Sequence, residues 1–256
     1  TNNINQFMLK ANKVSDYTIF VSEWIKNLYI KLGHSGSSSV IRSGSNMQIF
    51  NRDFIQPWDK KSPLKIVTHH WGANWNKGFE VYQYIDSLLE NNKWSEKIEF
   101  TYIGNVPKNF VFKNSKHIEP ISGSKLSKEL KKNNVYITGS LNEPSGNHHI
   151  EASQCGLPIL YIDSGGVTEY CRDFGVEYNI NDLEEKLDYI SNNYDKYFEI
   201  MKKYPENHIK MCSEYLKLFE SSNREVKLKK KNTVFKTIFK LAYKLKKMVK
   251  GFILNE

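Results

Sequence analysis

The chain has 256 residues, of which 39% are hydrophobic and 25% are charged, the balance of an ordinary globular protein with one good core and room for a partial second. The formal net charge of +9 lies entirely in residues 224–256, which hold 11 Lys/Arg and 2 Asp/Glu and leave 26 residues of each sign in the first 223. This distribution argues against a nucleic-acid-binding core, and because no run of 18 apolar residues occurs we expect no transmembrane helix.

Short apolar runs bounded by turn residues predict a series of strands. In chain order these are residues 16–21, 39–42, 64–68, 98–103, 117–121, 135–138 and 158–162. Helical spacing predicts helices between them: one from Ser22 to Gly33, one over 77–89, one that runs to Lys132 and one over 147–155. Residues 44–62 are turn-rich and form a connector. Because strands alternate with helices, we predict an α/β fold with a doubly wound parallel sheet.

Single residues indicate where some of these helices begin and end. Ser22 is predicted to be the N-cap of the first helix, and either Ser124 or Ser127 is predicted to cap the helix that runs to Lys132. Gly156 is expected to close the helix over 147–155.

The three cysteines, Cys155, Cys171 and Cys212, are odd in number, far apart and without metal-ligand spacing. We therefore expect free, mostly buried thiols in a reducing compartment. The first residue is Thr1 rather than Met, and no charged-then-apolar leader follows it, so we expect a fragment or a processed chain. A cytoplasmic location is expected, or one on the cytoplasmic face of a membrane.

The loop after the strand over 135–138 is the first candidate site. In an open α/β sheet, ligands bind at the carboxyl ends of the strands, against helix N-termini. Gly146 permits a close approach of the backbone to a ligand, and the first amides of the next helix favour an anion. Glu143 precedes that helix and Glu151 lies on it, so both carboxylates can face one cleft, although such residues are more often solvated surface residues.

The whole segment from Glu143 to Glu169 resembles a known signature. Two glutamates separated by seven residues, then Gly156 and Pro158, then Ser164-Gly-Gly-Val-Thr-Glu169 resemble the donor site of GT-B glycosyltransferases, in the large retaining family called glycosyl transferases group 1. Lys77-Gly78 and the segment 118–121 fall where that family has matching elements, and the resemblance covers roughly residues 15–205. It implies that the sheet is Rossmann-like and forms the C-terminal, donor-binding domain of a GT-B fold.

The resemblance also implies a role for each matching residue. Glu151 would bind the ribose hydroxyls of a UDP-, GDP- or ADP-sugar, and Glu143 would bind hydroxyls of the donor sugar. Ser145 and the backbone amides around Gly146, Asn147 and His148 would hold the sugar or the diphosphate, and the backbone near Ile118 would contact the base. Lys77 would stabilise the leaving diphosphate, which gains negative charge in the transition state, so Lys77 and Glu143 are the predicted catalytic residues. The alternative is that Lys77 has no functional role and is an exposed lysine at the start of a helix.

One position departs from the family. Five residues before Lys77 the family usually has an Arg that assists with the diphosphate, and here that residue is Gly72. Either the backbone amide of Gly72 takes over this contact, or another cation replaces the Arg: Arg42, His69, His70 and His148 are the candidates.

No metal or other cofactor is expected. Adjacent histidines such as His69-His70 and His148-His149 project in different directions, and no Asp-x-Asp sequence is present. Trp71 and Trp75 could stack on a ligand, but aromatic residues at strand ends more often belong to a core.

The tail combines lysines with an apolar stripe over residues 234–253, as in a basic amphipathic helix. We predict that it lies on an anionic membrane surface; packing on another domain or on a partner is the alternative.

The predicted domains are the end of an N-terminal domain with the interdomain segment over 1–48, the nucleotide-sugar-binding domain over 49–222 and the tail helix over 223–256. The predicted function is sugar transfer, with retention of configuration, to a glycan, a lipid-linked sugar or a protein. With most of an acceptor domain absent, the chain alone should bind the donor but transfer poorly. A non-catalytic nucleotide-sugar-binding module and a membrane-tethering element are the alternatives.

Overall fold

The computed structural model describes residues 2–225. Two sheets are formed, one of two parallel strands and one of six. The strands are β1 (Thr18–Phe20), β2 (Ser38–Val40), β3 (Leu64–His70), β4 (Ile98–Gly104), β5 (Lys116–Ile118), β6 (Val135–Thr138), β7 (Ile159–Ile162) and β8 (Gly175–Tyr178). All pairings within both sheets are parallel. The predicted α/β fold with a parallel, Rossmann-like sheet is therefore confirmed.

Ten α-helices and two short 3₁₀ turns are described along residues 2–225. The α-helices are α1 (Asn2–Val14), α2 (Glu23–Lys31), α3 (Phe79–Leu88), α4 (Asn92–Ser95), α5 (Gly123–Leu130), α6 (Asn147–Gln154), α7 (Val167–Cys171), α8 (Leu183–Asn192), α9 (Tyr194–Ile200) and α10 (His208–Glu225). The 3₁₀ turns are Trp75–Lys77 and Met201–Lys203. Residues Thr1–Glu214 form one unit, which contains both sheets; a second unit begins at Tyr215.

The strand order in the large sheet is β5-β4-β3-β6-β7-β8. The chain therefore builds outward from β3 in one direction and then restarts at β6 on the other side. The connections on the two sides of this point leave the sheet in opposite directions, so a crevice opens between the carboxyl ends of β3 and β6. This order places the end of β3, at His70, beside the loop that follows Thr138.

Alternation along β3 explains why the sheet is covered on both faces. Leu64 and Ile66 belong to one apolar cluster, with α3 and α8, whereas Val67 belongs to a second cluster, with α5, α6 and α7. Successive side chains of a strand point to opposite faces, so Leu64 and Ile66 pack on one face of the sheet and Val67 packs on the other. These three side chains are fully buried.

The segment before residue 49 is attached to the large sheet through α7. Ser22 is the N-cap of α2, as predicted, and its hydroxyl accepts a hydrogen bond from the amide of Ile25 at 3.3 Å. Glu169 on α7 accepts from the amides of Glu23 and Trp24 at 2.9 and 2.7 Å, so a carboxylate from a distant helix satisfies the first turn of α2. Glu169, the last residue of the segment from Glu143 to Glu169, thus helps to hold α2 in place.

Two local predictions are wrong. Neither Ser124 nor Ser127 caps α5, because the N-cap is Ser122 and Ser127 is buried, where its hydroxyl donates to the carbonyl of Ile49 at 2.7 Å. The helix predicted over 77–89 is broken near its start, since a 3₁₀ turn ends at Lys77 and Gly78 has a left-handed φ of 99° before α3. A side chain at residue 78 would lie within 3 Å of the backbone of Gly139, which explains the glycine.

The thiols follow the prediction: Cys155 and Cys171 are free and buried, and Cys212 is free and exposed. None of the helices described within residues 2–225 has both the length and the apolar character that crossing a bilayer requires. The predicted tail helix over 223–256 lies outside the described residues from 226 onward, and so does its apolar stripe over 234–253.

Candidate functional site

A cavity of about 340 Å³ opens at the crevice between β3 and β6. Its size is within the range of small-molecule sites. Its polar walls are formed by the end of β3, the loop before α6 and the first turns of α6. The lining residues with polar or charged groups are His69, His70, Trp71, Lys77, Ser122, Glu143, Asn147, His148 and Glu151.

An ion pair crosses the cavity wall. The Lys77 ammonium contacts a carboxylate oxygen of Glu143 at 2.5 Å, and the two side chains are 28% and 16% exposed. This partial burial keeps the groups in a setting less polar than water while both remain open to a ligand. Lys77 stands at the end of the 3₁₀ turn and Glu143 stands in the loop after β6, so the pair joins the two sides of the crevice.

The loop that carries Glu143 is held by two neighbouring segments. The amide of Gly166 donates to the carbonyl of Glu143 at 2.8 Å, and the amide of Asn142 donates to the hydroxyl of Ser164 at 2.8 Å. A side chain at Gly165, whose φ is +69°, would lie 2.3 Å from the Glu143 carbonyl oxygen. The Ser-Gly-Gly sequence after β7 therefore fixes the backbone of Glu143.

The second glutamate lies on α6 and is held by the end of β3. The imidazole Nε2 of His69 is 3.0 Å from Glu151 Oε2. Gly146 is the N-cap of α6 with φ +79°, and a side chain there would lie within 3 Å of the rings of His148 and His149. The glycine thus allows the tight turn that places Gly146, Asn147 and His148, at the N-terminus of α6, in the cavity lining.

Three histidines in and beside the cavity are buried, and their lowered pKa values favour the neutral form. Burial lowers the pKa of His70 and of His148 well below the usual range, and the neighbouring histidines and Lys77 lower both further. Burial lowers the pKa of His149 to about 4, against a hydrogen bond to the Ser145 carbonyl that opposes the shift. The rings of His70 and His148 lie 4.4 Å apart, and His148 Nε2 is bonded to the hydroxyl of Thr138 at 2.9 Å.

Most of the predicted site residues meet in this one cavity. Those that line it are Gly72, Lys77, Glu143, Gly146, Asn147, His148 and Glu151. Two do not: Ser145 is buried beside it, and Ile118 is the last residue of β5, two residues before Pro120, which does line the cavity. Their predicted roles as direct ligand contacts remain predictions, without support from this placement.

The structure excludes some of the residues that could replace the arginine expected at position 72 as a cation for the diphosphate. Arg42 is not among the cavity residues, because its guanidinium contacts Glu206 at 3.3 Å and lies 4.0 Å from Glu169. His70 and His148 are neutral for the reason given above. Among the described residues that line the cavity, Lys77 is the only Lys or Arg, whereas two carboxylates, Glu143 and Glu151, line it.

The two tryptophans do not belong to a core, so that interpretation of them is wrong. Trp71 is 74% exposed at the mouth of the cavity, and Trp75 is 53% exposed. Both tryptophans follow the end of β3, outside the part of the sheet that is covered by helices. The carbonyl of Trp71 accepts from the Asn105 side chain at 2.7 Å, which holds this part of the rim.

Apolar residues complete the cavity: Pro120 and Ile121, from the segment 118–121 that resembles the family, and Phe50, Ile103 and Leu126, which the sequence did not single out. They come from four separate segments, and only the strand order brings these together. Within residues 2–225, no group of three or more His, Cys, Asp or Glu side chains is arranged to hold a metal ion.

Tyr82 on α3 supports the cavity from below. Its buried hydroxyl lies 2.7 Å from His70 Nε2 and accepts from the Gly139 amide at 3.2 Å, and burial raises the pKa of the phenol to about 12. Replacing Tyr82 by Phe removes both hydrogen bonds and leaves the buried Gly139 amide without its hydroxyl partner, so we expect the free energy of unfolding to fall by about 2 kcal/mol. Urea unfolding with an unchanged m-value measures this loss. Tyr17→Phe, at an exposed position, is the matched control; equal effects of the two substitutions would contradict the expectation.

Comparison with known families gives one match. Residues 108–210 match the family described as glycosyl transferases group 1. This range includes the Glu143 loop, α6 and the Ser-Gly-Gly segment. A comparison with curated protein sequences gives no match.

Solved structures with the same fold are numerous. The chain is similar to HepE of Anabaena in complex with UDP and glucose, with a TM-score of 0.70 and 14% identity over 86% of this chain and 68% of that one. It is similar to sucrose-phosphate synthase of Thermosynechococcus elongatus, with a TM-score of 0.66 and 15% identity over 88% of this chain and 62% of that one. The chain is also similar to the pneumococcal O-GlcNAc transferase GtfA in complex with UDP and GlcNAc. The TM-score is 0.66 and the identity is 13%, over 86% of this chain and 47% of that one. The chain thus spans between 47% and 68% of the length of these three proteins.

These findings agree with the architecture. Residues 108–210 match the glycosyl transferases group 1 family, and the unit that contains them has the fold of GT-B glycosyltransferases.

Proposed function

We propose that the cavity binds a nucleotide sugar and that the protein transfers the sugar to an acceptor with retention of configuration. The observation that supports this most directly is the convergence of Lys77, Glu143, Glu151 and the N-terminus of α6 on one cavity. A nucleotide sugar carries a hydroxyl-rich ring, a diphosphate and a ribose. The cavity offers two carboxylates for the hydroxyls of the ring and the ribose, and a cation and backbone amides for the diphosphate. The donors UDP-glucose, GDP-sugars and ADP-sugars are candidates, and UDP is favoured because HepE and GtfA were solved with it.

The proposed step divides the work among these residues. The bond from the sugar carbon to the diphosphate oxygen breaks, and its electron pair stays on the diphosphate, where Lys77 stabilises the added charge. The acceptor hydroxyl attacks the same face of the sugar and passes its proton to the departing phosphate oxygen. Glu143 holds sugar hydroxyls, Glu151 holds ribose hydroxyls, and no metal takes part. The acceptor is a glycan, a lipid-linked sugar or a protein.

Calorimetric titration with UDP-, GDP- and ADP-sugars tests the proposal. We expect one of the three to bind, and we expect Glu151→Ala to weaken that binding by about tenfold or more, since hydrogen bonds to a charged group contribute about 1.5–3 kcal/mol. Glu99→Ala, on the exposed side of β4, is the matched loss of a carboxylate. Absence of binding by all three donors would refute the proposal.

The single cation of the cavity leads to a gain-of-function prediction. A β-carbon added at Gly72 would lie 3.5 Å from Lys77 Cε and 3.6 Å from Asn74 Nδ2, which is ordinary contact, so an arginine can be placed there. Gly72→Arg adds a second charged donor for the diphosphate, and we expect about tenfold tighter binding of UDP with unchanged binding of uridine. Gly72→Gln, which is long but neutral, is the control. An equal change for UDP and uridine would show that the arginine acts on something other than the diphosphate.

A further inference from the structure

His69 contacts Glu151, the residue that is proposed to bind the ribose, and so adds a second side chain to that part of the cavity. His69 is 8% exposed, and its Nε2 lies 3.0 Å from Glu151 Oε2. Its backbone is held on both sides by one hydroxyl, because the His69 amide donates to Tyr136 Oη at 3.2 Å and Tyr136 donates to the His69 carbonyl at 3.3 Å. The imidazole therefore approaches Glu151 from a fixed position at the end of β3.

The chemistry of the contact fixes the tautomer. A carboxylate only accepts hydrogen bonds, so Nε2 of His69 must carry the hydrogen. The other ring nitrogen, Nδ1, is buried and has no hydrogen-bond partner among the described residues. A buried polar atom without a partner destabilises a fold, and an aromatic side chain such as Phe would fill this position without that defect. Stability alone thus gives no reason for a histidine here.

The geometry points to His69 as a positioning residue for nucleotide recognition. We infer that the His69 hydrogen bond turns Oε2 of Glu151 into the protein and presents Oε1 to a ribose hydroxyl, so that His69 sets the preference for ribonucleotide over 2′-deoxyribonucleotide donors. This inference rests on the proposed function, in which Glu151 binds the ribose. It adds a residue and a selectivity that the Glu151 contact alone does not require.

The effect arises because a free glutamate side chain is flexible. On its own, the carboxylate of Glu151 would sample several orientations, and binding of ribose would have to fix one of them. The His69 hydrogen bond fixes the orientation before the ligand arrives. Its loss should therefore weaken ligands that use the carboxylate and leave other ligands unaffected.

Binding of UDP and 2′-deoxy-UDP to the full chain tests the inference. We expect the wild type to prefer UDP by about tenfold or more. His69→Phe, which keeps an aromatic ring but has no donor, should weaken UDP by at least fivefold, leave 2′-deoxy-UDP within twofold and so remove most of the preference. His69→Gln, which retains an N–H group, should restore part of it. His208→Phe, at the start of α10 and outside the cavity, is the control for loss of an imidazole.

The outcomes separate this inference from the proposed function. If Glu151→Ala removes the preference for UDP but His69→Phe and His69→Asn do not, the inference is wrong and the proposed function stands. If Glu151→Ala itself leaves UDP binding unchanged, the ribose contact of Glu151 is wrong and the inference that rests on it fails too, whereas nucleotide-sugar binding by the cavity stands. If His69→Phe does not fold, His69→Asn, whose shorter side chain cannot reach Glu151, gives the same comparison. An equal loss of affinity for UDP and 2′-deoxy-UDP in either variant indicates a merely structural histidine and overturns the inference.

Discussion

Replacement of Lys77 by alanine is expected to lower the rate of sugar transfer by about 10²–10³-fold, the usual effect of removing one group that stabilises charge in a transition state. The lysine is the only Lys or Arg among the described residues of the cavity, so no neighbouring cation can take its place. Donor affinity should fall much less, because the leaving diphosphate gains its extra charge only during the reaction. Single-turnover transfer by the full-length protein, with a saturating UDP-sugar, measures the rate separately from binding.

Two further variants decide whether the loss belongs to the charge. Lys77→Met keeps the length of the side chain without the ammonium and should match Lys77→Ala. Lys125→Ala removes an exposed lysine on α5 and should leave the rate unchanged. If the alanine variant instead raised the donor Kd and left the single-turnover rate intact, Lys77 would serve ground-state binding only, and its catalytic role would be disproved.

Acidification is expected to destabilise the fold well before the carboxylates are protonated. Burial lowers the pKa of His70 and His148, and it lowers that of His149 to about 4, whereas the same side chains in the unfolded chain bind protons near pH 6.5. Below about pH 6.5 the unfolded chain therefore takes up protons that the native chain does not, and the free energy of unfolding falls as the pH falls from 6.5 towards 4. His149 alone should contribute a loss of roughly 3 kcal/mol over this window.

Urea unfolding at pH 7 and pH 5 measures this effect. The wild type should lose stability between these two values, and His149→Asn should lose about 2 kcal/mol less, because one of the three protonation sites is gone. Parallel pH curves for wild type and His149→Asn would show that His149 is not protonated on unfolding in this window. The carboxyls of Asp86 and Glu129, whose pKa values are lowered, titrate below it and do not confuse the comparison.

The sheet could be predicted from the sequence because its strands are short apolar runs between helices. Leu64–His70 and Ile98–Gly104 are such runs, and turn residues mark their ends. The strand order could not be predicted from periodicity, which reports the environment of each strand and not its neighbours. The break before α3 was missed because it depends on the approach of Gly139 to Gly78, a contact between segments 61 residues apart in the chain. The cap of α5 was missed since several serines near it satisfy the same sequence rule.

For the site, the two glutamates and Lys77 could be predicted because their order and spacing resemble a known signature. The Lys77–Glu143 contact and the His69–Glu151 contact could not, since each joins the end of one strand to the loop or helix after another. The exposure of Trp71 was missed for a related reason: whether an aromatic residue beyond a strand end is covered depends on which elements pass over it. The hydrophobicity of a residue does not determine whether its side chain is covered.

The ion pair of Lys77 with Glu143 bears on which small molecules can occupy the cleft at all. Each group is the other's counter-ion in the free protein, at 2.5 Å. Free phosphate could take Lys77 only by leaving a partly buried carboxylate uncompensated, and a free sugar could take Glu143 only by leaving the ammonium uncompensated, and both outcomes are unfavourable. Under the proposed roles, a compound that joins an anion and a hydroxylated ring in one molecule replaces both partners together. In the free protein the charges of Lys77 and Glu143 cancel within the pair, and under the proposed roles we expect this pair to disfavour inorganic anions and monosaccharides independently of any recognition of the base.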